Sequence, residues 1–320
     1  MDAVCDGEDI LIPGIMEHIE RAGIHSGDSI SVYPPVKIEP RHQKIIADYS
    51  HRLATALHVV GLVNIQFVIY DDKVYVIEVN PRSSRTVPYI TKITGVPIIE
   101  LATRVMLGEK LKDLGCGTGL FPEGPYYAVK MPVFSFSKLT DVDTALGPEM
   151  KSTGEVLGVD RNFHQALLKA FLGTGMTLPG ENSRVLLTVR DEDKAEIIPI
   201  AMKMRDLNMK LYATGGTYEF LTAHGIDCIR VNRIAEGSPS VLDIIQEGGF
   251  DLVVNTPGHN HSHSRDGFLI LRAAAEHSVP VITAVDTAHA VIHAITMGHA
   301  KWLRPVDMVR VSGNKQAGKH

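Results

Sequence analysis

The amino-acid sequence predicts a mixed fold in two parts, an α+β part at the amino-terminal end and a parallel α/β part at the carboxyl-terminal end. Two observations carry this prediction. Two apolar runs, 62–70 and 74–79, are separated by a short polar break, which indicates a β-hairpin. From Arg184 onward, short apolar runs alternate with helical or polar stretches, which is typical of a small parallel sheet with helices on both faces.

The elements of the first part follow from hydrophobic periodicity. Pro40 predicts the start of a helix whose apolar positions recur at helical spacing up to Val60, and Gly61 predicts its end. The hairpin comes next, and a second helix is predicted at 98–107. The glycine-rich run 115–119 precedes no clear helix, so we interpret it as a loop rather than a phosphate cradle.

The second part begins after a stretch of Gly, Thr, Pro and Asn at 173–182, which predicts a domain boundary. A helix is predicted at 194–207. Strands are predicted at 185–189, 211–213, 228–231, 252–255 and 279–284. We therefore expect domains at 1–110 and 183–320, with 111–182 completing the first unit and linking the two.

Composition restricts the classes of protein to consider. The chain has 320 residues, 44% hydrophobic and 22% charged, which is ordinary for a globular protein of about two domains. The net charge of −5 and the lack of a basic run give no support for nucleic-acid binding. Three widely spaced cysteines suit a reducing cytoplasm. An acidic amino terminus and the lack of a run of ~18 apolar residues indicate neither a signal peptide nor a membrane helix.

Polar side chains gather on one face of the predicted hairpin. If 71–73 form a three-residue loop, Gln66 lies opposite Glu78, and Asn80 follows on the same face because side chains alternate along a strand. The other face is then apolar and consists of Ile65, Phe67, Ile69, Tyr75, Ile77 and Val79. A two-residue loop would instead place Gln66 opposite Ile77.

This polar face has the composition of a cation and anion site. A carboxylate and two amide oxygens suit Mg²⁺ bridged to the phosphates of a nucleotide. Arg82 and Arg85, at the end of the strand, suit an anionic or phosphorylated substrate. The alternative is a half-exposed hairpin with a polar outer face and no ligand.

A second candidate site lies in the parallel part. The run 213–217, Ala-Thr-Gly-Gly-Thr, stands where a strand ends and a helix begins, and it offers backbone N–H groups and hydroxyls to a phosphate. Asn255 and Thr256, at a comparable strand end, would face the same crevice. A turn of this kind more often only closes a loop. The alternating histidines 259, 261 and 263 are interpreted as exposed rather than as a metal site.

Longer motifs add a resemblance to a known family. Gln66, followed by Glu78-Val79-Asn80-Pro81-Arg82, resembles the metal-binding end of ATP-grasp ligases, which include biotin-dependent carboxylases. Three further runs, GIMEHIERAGIHSGDS at 14–29, ITGVP at 93–97 and GPEMKSTGEVLGVDRNF at 147–163, resemble the carboxy-terminal part of the large subunit of carbamoyl phosphate synthetase. The resemblance extends from Asp2 to about Val309.

The resemblance implies a carboxy-terminal ATP-grasp lobe followed by a methylglyoxal-synthase-like regulatory domain. The implied activity is ATP-dependent phosphorylation of carbamate, in the synthesis of carbamoyl phosphate for arginine and pyrimidine biosynthesis, with ATP and Mg²⁺ or Mn²⁺ as cofactors. Metal ions are implied at Gln66, Glu78 and Asn80, and the transferring group at Arg82 and Arg85. The residues implied for nucleotide binding are Gly23, Ile24, His25, Ser26, Gln66 and Glu78.

For the regulatory domain, the resemblance implies a crevice that binds a nucleotide monophosphate effector such as UMP or IMP. The implied contacts are Thr188, Lys194, Thr214, Thr217, Arg233 and Asn255. Arg233 stands where lysine is usual, and Pro257 stands where a hydroxyl residue is common, which leaves the identity of the effector open. We expect this domain, about 182–309, to fold alone.

Two departures from the family limit what the chain is expected to do. The family's adenine-hinge carboxylate and Gly-rich phosphate loop lie upstream of this sequence, so we expect a fragment or split subunit. It would need the missing amino-terminal part of the large subunit and the glutaminase small subunit, and would make no carbamoyl phosphate alone. Glu20, Asp28 and Thr283 match the family's ornithine site, but Met131 replaces a carboxylate, which predicts a weak ornithine response.

Three alternatives remain. The chain could act only as a regulatory nucleotide-binding module, or as another ATP-grasp ligase such as a carboxylase, against which the run 147–163 and the terminal domain argue. A true methylglyoxal synthase would need catalytic aspartates. Asp191 and Asp193 are the candidates, but their acidic loop is interpreted as solvated. The nitrogen donor, glutamine or ammonia, stays open.

Overall fold

The computed structural model of the protein describes residues 1–135, 146–256, 266–298 and Val306. Within these residues, three sheets form the framework of the chain. The first two sheets, with helices on them, make the amino-terminal part, and the third makes the carboxyl-terminal part. The two-part prediction of α+β followed by α/β is therefore confirmed. No helix in the described part of the chain is both long and apolar enough to cross a membrane.

The secondary structure of the amino-terminal part consists of nine strands and four helices within the described residues. The strands are β1 (Asp2–Asp6), β2 (Ile10–Gly14), β3 (Glu17–His18), β4 (Ser31–Tyr33), β5 (Val60–Tyr70), β6 (Lys73–Asn80), β7 (Gly119–Leu120), β8 (Tyr127–Val133) and β9 (Gly154–Asp160). The helices are α1 (Pro40–Ala56), α2 (Thr86–Thr94), α3 (Ile98–Met106) and α4 (Phe163–Gly173).

The carboxyl-terminal part has five strands and five helices within the described residues. The strands are β10 (Arg184–Val189), β11 (Lys210–Thr214), β12 (Ile229–Val231), β13 (Leu252–Thr256) and β14 (Val281–Ile282). The helices are α5 (Lys194–Asp206), α6 (Gly215–Ala223), α7 (Val241–Gln246), α8 (Asp266–Glu276) and α9 (Val285–Gly298).

The first sheet has the strand order β6-β5-β1-β2-β7 and is antiparallel except where β2 meets β7. Alternate side chains of β1 enter two different cores, as a period of two requires. Ala3 and Cys5 pack toward Ile46 of α1, whereas Val4 packs with Val87 and Leu101 of α2 and α3. Helices on both faces therefore hold this sheet.

Helix α1 starts at Pro40 as predicted but ends earlier than predicted. Its last residue is Ala56, and His58 then adopts a left-handed conformation with φ 52°. The N–H of Val59 donates to the carbonyl of Ala54, which closes the helix end. Val59 consequently packs in the core from a turn, and Val60 and Gly61 begin β5 instead of ending the helix.

The hairpin of β5 and β6 confirms the pairing of Gln66 with Glu78, although the loop assumed for it was wrong. Asp71 and Asp72 both have positive φ, 48° and 60°, which makes a two-residue turn with Tyr70 opposite Lys73. Ile77 is then an extra residue, because Phe67 pairs with Val76 and Gln66 pairs with Glu78. This β-bulge restores the register that the shorter turn would have shifted.

The bulge also corrects the predicted apolar face of the hairpin. Tyr75 and Ile77 are 46% and 54% exposed rather than packed. Val74 takes a place in the core beside Ile65 and Val79, because an extra residue between positions 74 and 79 reverses the alternation of faces.

The second sheet was not predicted from the sequence. It is antiparallel with the order β3-β4-β8-β9, and α4 packs on it. A Cβ at Gly158 would collide with the backbone carbonyl of Ala166, so only glycine allows α4 to lie this close to β9. Strands from 17–33 and 127–160 thus share one sheet across the predicted domain limit near 110.

The third sheet confirms the predicted parallel unit. Its order is β12-β11-β10-β13-β14, and all four pairings are parallel. Side chains of α5, α6 and α9 cover one face, and those of α7 and α8 cover the other. The carboxyl ends of β10, β11 and β13 therefore meet at one edge, where a ligand crevice is expected in such sheets.

One apolar cluster joins the second and third sheets. Leu167 and Phe171 of α4 lie in the same cluster as Val291 and Ile292 of α9. Polar contacts reinforce this junction, because Thr287 of α9 donates to the carboxylate of Glu20 at 2.8 Å. Arg21 pairs with Glu196 at 2.5 Å and with Asp286 at 3.2 Å.

Candidate functional site

The polar face of the hairpin brings together three of the predicted ligands. The amide nitrogen of Gln66 donates to Oε1 of Glu78 at 2.8 Å, and that of Asn80 donates to the same oxygen at 2.9 Å. Glu78 is exposed, so its carboxylate is open to solvent. The three side chains are held in register by paired strands, which fixes their spacing.

These side chains fit a hard divalent cation whose remaining ligands are phosphate oxygens. Mg²⁺ is commonly bound by one or two carboxylates together with the phosphates of a substrate. Glu78 supplies one carboxylate, and rotation of either amide about its terminal bond would present an oxygen in place of a nitrogen. Among the described residues, no group of three His, Cys, Asp or Glu side chains could hold a metal ion by itself.

The turn predicted to contact a nucleotide lies against this hairpin. The amide of Gln66 also donates to Oγ of Ser26 at 3.2 Å. His25 is fixed in the same turn, since its N–H donates to the carbonyl of Gly147 and its Nδ1 accepts the N–H of Gly27. Gly23 and Ile24 precede it, the first exposed and the second half-buried.

Lys130 supports this turn, although it was not among the residues predicted from the sequence. Its ammonium donates to the carbonyls of Ser26 and Gly27, at 3.1 Å each, and the residue is 1% exposed. Burial lowers the pKa of Lys130, against the opposing effect of nearby carboxylates, and Arg85 lowers it further. A lysine at a core-facing position of an apolar strand, Tyr-Ala-Val-Lys-Met-Pro-Val, was the signal available.

The two predicted arginines stand at the end of the hairpin. Arg82 is exposed and donates to the carbonyl of Ser83 at 3.0 Å, and Arg85 precedes α2. Asp2 anchors the chain that follows them, because its carboxylate accepts from Oγ1 of Thr86 at 2.5 Å and from the amide of Asn64 at 2.9 Å. Asp2 is buried and was not singled out by the sequence.

The second candidate site forms a crevice at the carboxyl edge of the parallel sheet. Thr188 of β10 lies opposite Asn255 of β13, and Oγ1 of Thr214 donates to Oγ1 of Thr188 at 3.2 Å. The amide of Asn255 donates to the carbonyl of Gly267 at 2.7 Å. Three of the predicted contacts are thus neighbours at one edge.

Two cationic side chains lie close to the glycines at the start of α6. A Cβ placed on Gly215, where φ is +24°, would lie 2.6 Å from Nε of Arg233. A Cβ placed on Gly216 would lie 3.1 Å from Nζ of Lys194. Lys194 also pairs with Asp191 at 2.7 Å. Positive charge and backbone N–H groups therefore meet at this helix start.

Thr217 faces inward instead of into the crevice. It is 3% exposed, and its Oγ1 accepts the N–H of Val189 at 3.2 Å and lies 3.4 Å from the carbonyl of the same residue. The hydroxyl therefore ties α6 to β10.

The acidic loop before α5 is not uniformly solvated, which corrects the interpretation made from the sequence. Asp193 is 6% exposed and pairs with Arg190 at 2.9 Å, because the turn after β10 folds it inward. Asp191 is exposed, and its bond to Lys194 lowers the pKa of that carboxyl. Histidines 259, 261 and 263, together with Pro257, lie outside the described residues.

A cavity of about 380 Å³ lies where the two parts of the chain meet, lined by Glu20, Asp28, Met131, Thr283 and Thr287. Asp28 accepts the N–H groups of Lys151 and Ser152 at 2.8 and 2.9 Å. Burial raises the pKa of Glu20 to about 7, against the hydrogen bond from Thr287. The three residues matched to an ornithine site therefore line one cavity, together with Met131, which replaces a carboxylate of that site.

Comparison with known proteins gives matches to two family models and to relatives that are much longer than this chain. Residues 2–114 match the model "Carbamoyl-phosphate synthase L chain, ATP binding domain", and residues 196–283 match the MGS-like domain. The carbamoyl phosphate synthase large chain of Agathobacter rectalis is 53% identical over 312 residues, or 97% of this chain. Nearly the whole chain is therefore similar to part of a carbamoyl phosphate synthase large chain.

A second carbamoyl phosphate synthase large chain, from Lachnoclostridium phytofermentans, is 52% identical over 311 residues. The chain spans about 29% of the length of each of these two relatives. Among solved structures, the biotin carboxylase domain of a single-chain bacterial carboxylase is 15% identical, with a TM-score of 0.43 over 53% of this chain and 45% of that one. The hairpin lies inside the segment that matches the carbamoyl phosphate synthase ATP-binding domain.

Proposed function

We propose that this chain provides the carbamate-phosphorylating site of a glutamine-hydrolysing carbamoyl phosphate synthase, a ligase of arginine and pyrimidine biosynthesis in the cytoplasm. The observation that carries the proposal is the hairpin. Glu78 stands between two amides on a rigid pair of strands, and Gln66 links it to the turn at Ser26. Both elements lie in the segment that matches an ATP-binding domain.

The residues divide into four roles. Glu78, with Gln66 and Asn80, would hold Mg²⁺ or Mn²⁺, which neutralises phosphate charge when bound. The turn of Gly23, Ile24, His25 and Ser26 would contact the nucleotide. Arg82 and Arg85 would stabilise the charge that develops on the transferring phosphoryl group as carbamate attacks it. Lys130 and Asp2 would hold the turn and the Arg85 segment in place.

The complete activity needs more polypeptide than this chain. The chain spans 29% of the length of its relatives, so we propose the amino-terminal part of a large chain and a glutaminase small subunit as partners. The test is a chimera in which this chain replaces the matching segment of the Agathobacter rectalis large chain.

We expect the chimera, with a small subunit, to make carbamoyl phosphate from ATP, bicarbonate and either ammonia or glutamine. The same large chain without its matching segment is the control, and the isolated chain should be inactive. A chimera that melts at the temperature of the parent enzyme but makes no carbamoyl phosphate would refute the proposal.

The crevice at the third sheet supports a second role as the allosteric site. Lys194 and Arg233 approach the glycine turn, and Thr188, Thr214 and Asn255 line the neighbouring strand ends. Such a site suits the phosphate of a nucleotide monophosphate such as UMP or IMP. The crevice consists of residues of this chain, so effector binding does not require the missing part. The same crevice favours a purely regulatory function as the second candidate for the chain.

Replacing Arg233 by Gln should weaken binding of UMP or IMP to the chain by about tenfold or more, since it removes one charge-assisted contact to phosphate. Calorimetry would measure the affinity, and raising the salt concentration should weaken binding to the unchanged chain as well. The matched control is Lys210→Gln, an exposed cation at the opposite end of β11. Equal affinity in the Arg233 variant, or no binding of either nucleotide at millimolar concentration, would contradict the prediction.

A further inference from the structure

Three histidines and a lysine form a cluster at the junction of the two parts of the chain. His164 of α4 meets His293 of α9 edge to face, with ring centroids 4.9 Å apart. His289, one turn earlier on α9, stacks on His293 at 5.8 Å. Lys203 of α5 places its ammonium 3.1 Å from Nδ1 of His293. Three helices therefore contribute to one imidazole-rich contact.

The contact to Lys203 fixes the protonation state of His293. An ammonium has only donors, so Nδ1 of His293 must be the acceptor and the ring must be neutral. A protonated ring would direct an N–H at the ammonium and would place two positive charges in contact. His164 has a similar constraint, because its Nδ1 is buried and has no hydrogen-bond partner within the described part of the chain.

The charges that act on the cluster come from α5, from the loop after β4 and from α9 itself. Lys203 acts on all three rings, Lys37 acts on His289 from the loop after β4, and Asp286 opposes them from α9. Asp286 is already paired with Arg21 at 3.2 Å. On the same helix, Thr287 binds Glu20. Two cations and one carboxylate that is already ion-paired therefore act on the histidines.

We propose that the contact between α4 and α9 is a proton-sensitive junction, which loosens when His164 and His293 take up protons. The apolar cluster shared by the two helices holds the junction together, and added positive charge opposes that packing. Opening loosens the contact between α4 and α9, while the strand pairing within each sheet is retained. This device is independent of the proposed ligase activity.

The direction of the pH effect follows from the histidine environments. Burial lowers the pKa of His164 and of His293, and Lys203 lowers both further. The ordinary pKa of histidine is about 6.5. Because the closed junction lowers the pKa of these histidines, their contribution to its stability is complete above about pH 6.5, where they are neutral in both the closed and the open state. That stability is lost as the pH falls below this value. Glu20 acts in the opposite direction, because its pKa is raised.

The test is hydrogen exchange of the whole chain between pH 7.5 and pH 5.5, corrected for the intrinsic effect of pH on exchange. All variants carry Glu20→Gln, which removes the opposing titration. We expect exchange of the α4 and α9 amides to rise by up to about tenfold per pH unit for each histidine that takes up a proton. The amides of α8, on the opposite face of the third sheet, should show no such rise in exchange.

The double variant His164→Gln/His293→Gln should lose this rise, and the control His51→Gln, exposed on α1, should keep it. If the double variant does not fold, Lys203→Met replaces it. That variant should weaken the rise, because it removes the cation that lowers the histidine pKa values. A rise that α8 shares, or that survives in the double and Lys203 variants, would overturn the proposal.

Discussion

Replacing Glu78 by Gln should abolish carbamoyl phosphate synthesis by the chimeric large chain. Glu78 is the carboxylate of the hairpin trio, and an amide supplies no charge to a divalent cation. Losing several kcal/mol of cation stabilisation corresponds to about a thousandfold or more in rate. The fold should persist, because the oxygen of a glutamine side chain can still accept from Gln66 and Asn80.

The measurement is the rate of carbamoyl phosphate formation at saturating ATP, with the melting temperature recorded beside it. Glu100→Gln serves as the matched control, since Glu100 is exposed on α3 and its nearest cation, Arg104, is 3.9 Å away. The control should retain full activity. If the Glu78 variant keeps a rate within tenfold of the parent, the hairpin does not hold the catalytic ion.

Replacing Glu20 by Gln should stabilise the chain at pH 8 and remove the loss of stability that the Glu20 carboxyl causes as the pH rises from 5 to 8. Burial raises the pKa of Glu20 from 4.5 to about 7. A raised carboxyl pKa means that the stabilising contribution is complete below pH 4.5 and is lost as the pH rises through about 7. The shift corresponds to about 3 kcal/mol.

Glutamine can reproduce both contacts of the protonated acid. Its oxygen can accept the N–H of Ile30, and its NH₂ group can donate to Oγ1 of Thr287. Urea unfolding at pH 5 and pH 8 measures the free energy of unfolding, and Glu219→Gln, exposed on α6, is the control. Parallel pH profiles for the variant and the parent would show that Glu20 does not titrate in this range.

The sequence predicted the elements with strong periodicity and failed where long-range packing decides. The parallel strands from β10 to β13 followed from local patterns. The pairing of Gln66 with Glu78 was predicted correctly from a three-residue loop, but it arises from a two-residue turn and a β-bulge. The second sheet did not follow from local patterns, since β4 and β8 pair across about a hundred residues and each is short or interrupted by polar positions. A short stretch of sequence does not indicate antiparallel pairs between strands so far apart in the chain.

The candidate sites show the same division. Strand alternation indicated Gln66, Glu78 and Asn80, and the glycine turn indicated the crevice of the third sheet. Lys130 and Asp2 were not indicated, because a charged residue in an apolar run has meaning only when its buried partners are known. Thr217 was indicated for the right turn, yet its hydroxyl bonds to Val189 and its orientation depends on tertiary contacts.

The apolar cluster that α4 shares with α9 has a consequence for how such proteins exchange parts. Leu167 and Phe171 lie before the loop at 174–182, but they complete a core built by the strands and helices after it. A recombination point in that loop would therefore leave unmatched apolar surfaces on both products. Transfer of the parallel unit to another protein would leave the apolar side of α9 uncovered unless the recipient supplies a helix in place of α4.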